Sequence, residues 1–197
     1  MNCLYCDEEI KKIRFAALLN GEDKLCIKCR EGMIKRHEKF LVEDMEVETF
    51  YDYDSFFRSL LLQYKECYDE ALKDVFLYEI KDYLKFRYRG YRILYVPSTK
   101  RKNEERGFEH LRGIFSDLGM EEVKGLAMKN ELVQEGRNRK EREEMTINYI
   151  YNGNMIDKVL IVDDVFTTGS SLKGVYSAIK PFTKRVKAVC LSKKTLA

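Results

Sequence analysis

Four cysteines in the first 29 residues form two Cys-x-x-Cys pairs, Cys3 with Cys6 and Cys26 with Cys29, separated by 19 residues. Each short turn aims two sulfurs at one point, and two such turns complete a tetrahedron, which is the spacing of a structural zinc site. A pair of disulfides is the competing chemistry, and a reducing cytoplasm disfavours it; a redox motif would need only one copy. Four thiolates would close the Zn²⁺ and leave no open catalytic position. Cys67 and Cys190 are isolated, and Cys190 lies in the apolar run VKAVCL as a small core residue. The second chemical signal is residues 159–172, VLIVDDVFTTGSSL. Asp163 and Asp164 are acceptors only, suited to the hydroxyls of a sugar. Thr167, Thr168, Gly169, Ser170 and Ser171 follow as a turn of small hydroxyl residues entering a helix. Its free N–H groups and positive dipole end suit a phosphate. A diol site and an anion cradle a few residues apart match a sugar phosphate.

These groups need a scaffold. The 197 residues suffice for one full domain and a small appendage. Hydrophobic residues make up 45% of the chain, enough to bury a core. The net charge of +3 is too small to require a nucleic-acid partner. No apolar run is long enough to span a bilayer, so no membrane insertion is expected. The N-terminus lacks the apolar core of a signal peptide, and a cytoplasmic location is expected. Too short to bury much apolar surface, the cysteine segment is expected to take most of its folding energy from metal. Residues 30–50 are charged and weakly periodic, which sets a boundary near Thr49: a zinc-ribbon domain over 1–49 and a second domain over 50–197. Residues 56–84 space their apolar side chains at three and four. Phe57, Leu60, Leu61, Tyr64 and Tyr68 fall on one helical face, and Val75, Leu77, Ile80 and Leu84 on another, with a break near Asp69. Beyond Gly90, short apolar runs at 92–97, 123–128, 146–151, 158–163 and 186–191 alternate with helix-like stretches at 104–118 and 171–180. That alternation predicts an α/β fold with a parallel sheet covered on both faces. Ligands in such sheets bind beyond the carboxyl ends of the strands, where Asp163 and Asp164 stand.

The stretch VLIVDDVFTTGSSL resembles the ribose-phosphate motif of type I phosphoribosyltransferases, which bind phosphoribosyl pyrophosphate (PRPP). The resemblance implies that Asp163 and Asp164 are the catalytic acids taking the ribose hydroxyls. It implies that residues 167–171 wrap the 5′-phosphate and that Mg²⁺ is held largely by pyrophosphate and ribose oxygens. The family's pyrophosphate loop corresponds to Ser98, Thr99 and Lys100 after the strand LYVP, with Arg101 and Arg106 as further cations. With the cysteines, the order of motifs resembles a narrower group, the ComF/GntX proteins, which join a zinc ribbon to a phosphoribosyltransferase-like domain. Their Tyr-Lys then Asp matches Tyr64, Lys65 and Asp69. Their Val-Pro then Arg-Gly-Phe matches Val96–Pro97 and Arg106–Gly107–Phe108. Their flexible loop resembles Gln134, Arg142 and Asn148. Two positions depart: Thr99 stands where a second proline is common, and Glu109–His110 where Asn-Gln is common.

The resemblance implies a role in DNA uptake during natural transformation, with PRPP as ligand and a competence helicase of the ComFA type as a partner. An active phosphoribosyltransferase in nucleotide metabolism, a PRPP-binding protein without turnover and a zinc-ribbon adaptor for a helicase-like partner all stay open. His37 and His110 read as surface residues, and no separate nucleophile is visible. Residues 83–92, YLKFRYRGYR, interleave aromatic and basic side chains, and Arg87, Arg89 and Arg92 are the candidates for contact with single-stranded DNA. The plainer reading, tyrosines packed inward and arginines on a wet face, is favoured.

Overall fold

A computed structural model describes residues 1–10, 21–128 and 149–194. Its centre is a five-stranded sheet in the order β1-β2-β7-β6-β3. The strands are β1 (Lys35–Val42), β2 (Met45–Asp52), β3 (Arg92–Tyr95), β6 (Ile156–Phe166) and β7 (Thr183–Lys193), with β4 (Leu126–Met128) and β5 (Tyr149–Tyr151) apart from them. β2, β7, β6 and β3 run parallel to one another, and only the edge strand β1 is antiparallel. Val159 to Val162 and Ala188 to Leu191 are buried, as a strand covered on both faces requires. This is the α/β arrangement expected of a phosphoribosyltransferase-like domain behind a cysteine-rich N-terminus.

The described helices are α1 (Ile27–Gly32), α2 (Ser55–Glu66), α3 (Lys73–Leu77), α4 (Lys81–Arg87), α5 (Lys100–Arg106), α6 (His110–Phe115) and α7 (Ser170–Ile179). α2 starts where Asp54 accepts a hydrogen bond from the Phe57 amide at 2.8 Å, a side-chain cap on an otherwise unpaired donor. It buries Phe57, Leu60, Leu61 and Tyr64 as its periodicity demands. The helix ends at Glu66, so Tyr68 leaves that face and is exposed. The break near Asp69 is present, and the second apolar face is carried by two short helices, α3 and α4, rather than one.

Three sequence expectations change. First, Thr49 lies inside β2, paired with Cys190 of β7. The β1–β2 hairpin therefore belongs to the large sheet, and the cysteine segment gives way to it near Met33 rather than at Thr49. The charged composition hid these strands because β1 is an edge with a wet face. In addition, buried Glu48 is surrounded by His37, Lys39, Tyr83 and Arg87. Second, among the described residues, those at 123–128 and 149–151 do not extend the parallel sheet: β4 and β5 form their own antiparallel pair. Only Glu122 makes a parallel bridge to Ile93. Gly125, at φ +99°, turns the chain out of that alignment, and its carbonyl accepts from the Asn152 amide. Third, His110 is buried.

Candidate functional site

At the N-terminus the sulfurs of Cys3, Cys6, Cys26 and Cys29 lie within 4.8 Å of one another. Cys6 and Cys26 are 3.7 Å apart, close to the ~3.8 Å edge of a tetrahedron with metal–sulfur bonds of about 2.3 Å. All four sequence-predicted ligands thus converge, and the donor set fits a closed metal site. The adjoining α1 is tied to the main domain by Arg30. Its guanidinium grips Asp23 at 2.6 and 2.8 Å and donates to the Val75 carbonyl at 2.8 Å.

The second site opens at the carboxyl end of β6. A cavity of about 400 Å³ is lined by Asp163, Asp164, Thr167 and Ser171 on one side. Pro97, Ser98, Thr99 and Lys102 face it from the turn after β3. Arg58 and Lys65 on α2 complete the wall, and Met128 and Tyr149 stand over it from the β4–β5 pair. Successive strand residues point to opposite faces, so the two acids meet different surroundings. Asp164 is buried; its Oδ2 accepts from the Lys65 ammonium at 2.6 Å and from His110 Nε2 at 3.0 Å. Burial alone would raise its pKa, but the His110 hydrogen bond and the Lys65 charge hold it well below the usual carboxylate range. Asp163 is half-buried and accepts from the Asp164 amide at 2.9 Å. Burial and the adjacent Asp164 charge push its pKa up. The pair thus divides into an anion and an acid that holds its proton toward neutral pH. Burial and the nearby Asp163 also push the Tyr149 phenol up to about 12.

Residues 167–171 form the turn that leads from β6 into α7. Gly169, at φ +75°, is the turn residue ahead of α7, and Thr168 Oγ1 is 2.8 Å from Ser170 Oγ. A Cβ on Gly169 would meet the Phe166 ring at 2.8 Å. Gly169→Ala is therefore expected to lower stability by about 1–2 kcal/mol from left-handed strain alone, read by thermal melting.

The loop after β3 behaves less uniformly. Thr99 caps α5, accepting from the Lys102 amide at 3.4 Å. Ser98 and Thr99 reach the cavity, and Lys102, rather than Lys100 or Arg101, is the cation on its wall. Arg106 does not line the cavity. It is buried, donating through Nε to the Lys65 carbonyl at 2.9 Å and through a terminal nitrogen to His110 Nδ1 at 2.9 Å. Lys65 and His110 are the cavity-lining side chains that the sequence left without a role. For Lys65 the signal was the matched Tyr-Lys pair; for His110 no signal separates a buried histidine from a surface one. Gln134, Arg142 and Asn148 lie outside the described residues.

The arginines of 83–92 are largely occupied. Arg87 pairs with Glu46 at 3.0 Å and Glu48 at 3.4 Å, and Arg92 with Glu121 at 2.6 Å. Tyr88 and Tyr91 are buried, whereas Phe86 and Arg89 are exposed. No described helix is long and apolar enough to cross a membrane.

No family model matches the chain. Over 202 aligned residues it is 23% identical to the competence protein ComFC of Streptococcus pneumoniae (strain ATCC BAA-255 / R6), covering 89% of this chain and 91% of that relative. The chain is thus similar over most of its length to a protein named for competence.

Proposed function

We propose that the chain binds PRPP with Mg²⁺ at the end of β6 and serves DNA uptake in natural transformation. A structural Zn²⁺ on Cys3, Cys6, Cys26 and Cys29 would fix the N-terminal ribbon, and a cytoplasmic site of action suits thiolate ligands. One observation carries the ligand reading: a single cavity joins two adjacent carboxylates, a hydroxyl-rich turn opening a helix, and three cationic side chains. In this reading Asp163 and Asp164 accept the ribose hydroxyls, and residues 167–171 hold the 5′-phosphate. Ser98, Thr99, Lys102 and Arg58 face the pyrophosphate, with Lys100 at the neighbouring helix start. Mg²⁺, when bound, neutralises pyrophosphate oxygens that the few cations present would not balance. The DNA-uptake role rests on similarity to a protein named for competence. A ComFA-type helicase is the partner such a role implies. Direct single-strand binding through Arg87 and Arg92 is less favoured, since DNA would first have to displace Glu46, Glu48 or Glu121.

The test is isothermal titration with PRPP in the presence and absence of Mg²⁺, with pyrophosphate release followed in the same samples. Saturable, Mg²⁺-dependent binding is expected; no heat and no protection from thermal melting would reject the site. Pyrophosphate release would assign transferase activity as well.

The acid pair also sets the sign of a pH effect. Burial and the Asp164 charge raise the Asp163 pKa in the free protein, whereas hydroxyl donors from a bound sugar favour its ionised form, the stronger acceptor. Binding therefore expels a proton. Affinity is expected to rise between about pH 7 and about pH 9, up to tenfold per unit below the raised pKa and flat above it. Titrations in buffers of different ionisation heat read that proton directly.

A further inference from the structure

His110 has a role that neither the sequence motifs nor the ligand reading assigns. Four residues form a closed ring of hydrogen bonds behind the cavity. Arg106 donates to His110 Nδ1 at 2.9 Å and, through Nε, to the Lys65 carbonyl at 2.9 Å. The Lys65 ammonium and His110 Nε2 then meet on one oxygen, Asp164 Oδ2, at 2.6 and 3.0 Å. A guanidinium has only N–H donors, so Nδ1 must be the acceptor and the ring proton must sit on Nε2. A second ring proton would point at Arg106, which excludes the imidazolium. Burial and the Lys65 and Arg106 charges push the His110 pKa down, in the same sense; the Asp164 hydrogen bond and charge oppose them. Ser98 Oγ at 3.4 Å is the further polar neighbour, and Glu66 stands 3.9 Å from the far side of Arg106. The Tyr64 hydroxyl pins the helix itself, donating to the His110 carbonyl at 2.9 Å.

We propose that His110 is a neutral, two-sided positioning residue that clamps Asp164 through Oδ2 and so presents Oδ1 to the sugar. Among the described residues both donors fall on Oδ2, and Oδ1 has no partner. A glutamine at this position offers the same pair of functions, an amide oxygen for Arg106 and an amide N–H for Asp164. An apolar side chain offers neither. Because the clamp acts on the PRPP site, its effect on affinity rests on that reading, whereas its geometry does not.

Two measurements on the full chain test it. His110 and His37 are the chain's two histidines, so a ¹⁵N–¹H spectrum of the rings is assigned with one His37→Asn control. The expected spectrum shows His110 as the neutral Nε2–H form with an accepting Nδ1 from about pH 6 to about pH 8, with or without PRPP. An imidazolium at neutral pH, or a proton on Nδ1, would overturn the clamp even if PRPP binds. In titrations with Mg²⁺ and PRPP, His110→Leu should lose at least tenfold in affinity and His110→Gln no more than about threefold. If both variants melt like the parent and the glutamine is as damaging as the leucine, the two-sided role is wrong. A parent chain that binds no PRPP would instead reject the ligand reading, and the ring spectrum would still decide the clamp.

Discussion

Asp163→Asn combined with Asp164→Asn is expected to reduce Mg²⁺-dependent PRPP binding by at least 100-fold. Each carboxylate would contribute a charge-assisted hydrogen bond of about 1.5–3 kcal/mol, and about 2.7 kcal/mol corresponds to 100-fold. The single variants should move stability in opposite directions. Asp163 has a raised pKa, so its ionisation destabilises the fold as pH climbs above the ordinary carboxylate value. Asp163→Asn should therefore raise the melting temperature near neutral pH, by about 2–4 °C for each kcal/mol relieved. Asp164 has a lowered pKa, so its stabilisation is present above the ordinary carboxylate value and lost as pH falls through the lowered one. Asp164→Asn should lower the melting temperature, because it takes the anionic partner from Lys65 and His110. Thermal melts at neutral pH beside titrations of the same samples separate binding loss from unfolding.

The other large effect is loss of the metal. A zinc chelator, or Cys29→Ser, is expected to lower stability by well over ~3 kcal/mol, since metal binding supplies most of the folding energy of such small ribbons. The damage should not stay local. Leu25, Cys26, Cys29 and Met33 share one apolar core with the main domain, and Arg30 bridges Asp23 to the Val75 carbonyl. A melt that shifts down by more than about 6 °C on chelation, and recovers with added Zn²⁺ but not with Mg²⁺, is the expected result. An unchanged melt would remove metal from the N-terminus. Below the shifted melt, PRPP affinity should change little, because none of the four cysteines lines the cavity.

The chemistry was more legible in the chain than the architecture. Cysteine spacing led to a converging cluster, and the paired acids with their hydroxyl turn led to one cavity, because both signals are local in sequence. The β1–β2 hairpin was missed because its central acid, Glu48, is buried among partners from β1 and α4 that lie up to 39 residues away. Binary patterning cannot see a charge neutralised by tertiary contacts. His110 was misread for the same reason: 54 residues separate it from Asp164, and its burial depends on both nitrogens finding partners. Arg106 was read as a cation for the pyrophosphate, but its fork is spent on Lys65 and His110 rather than turned to the cavity. Long-range polar satisfaction, not hydrophobic period, decided each of these positions.

The most direct measurement is a crystal structure of the chain soaked with PRPP and Mg²⁺. The ribose hydroxyls should lie within hydrogen-bond reach of Asp163 and Asp164, and the 5′-phosphate against residues 167–171 at the start of α7. An empty cavity at saturating PRPP, or a sugar phosphate bound elsewhere with neither acid in contact with it, would contradict a PRPP site at the end of β6.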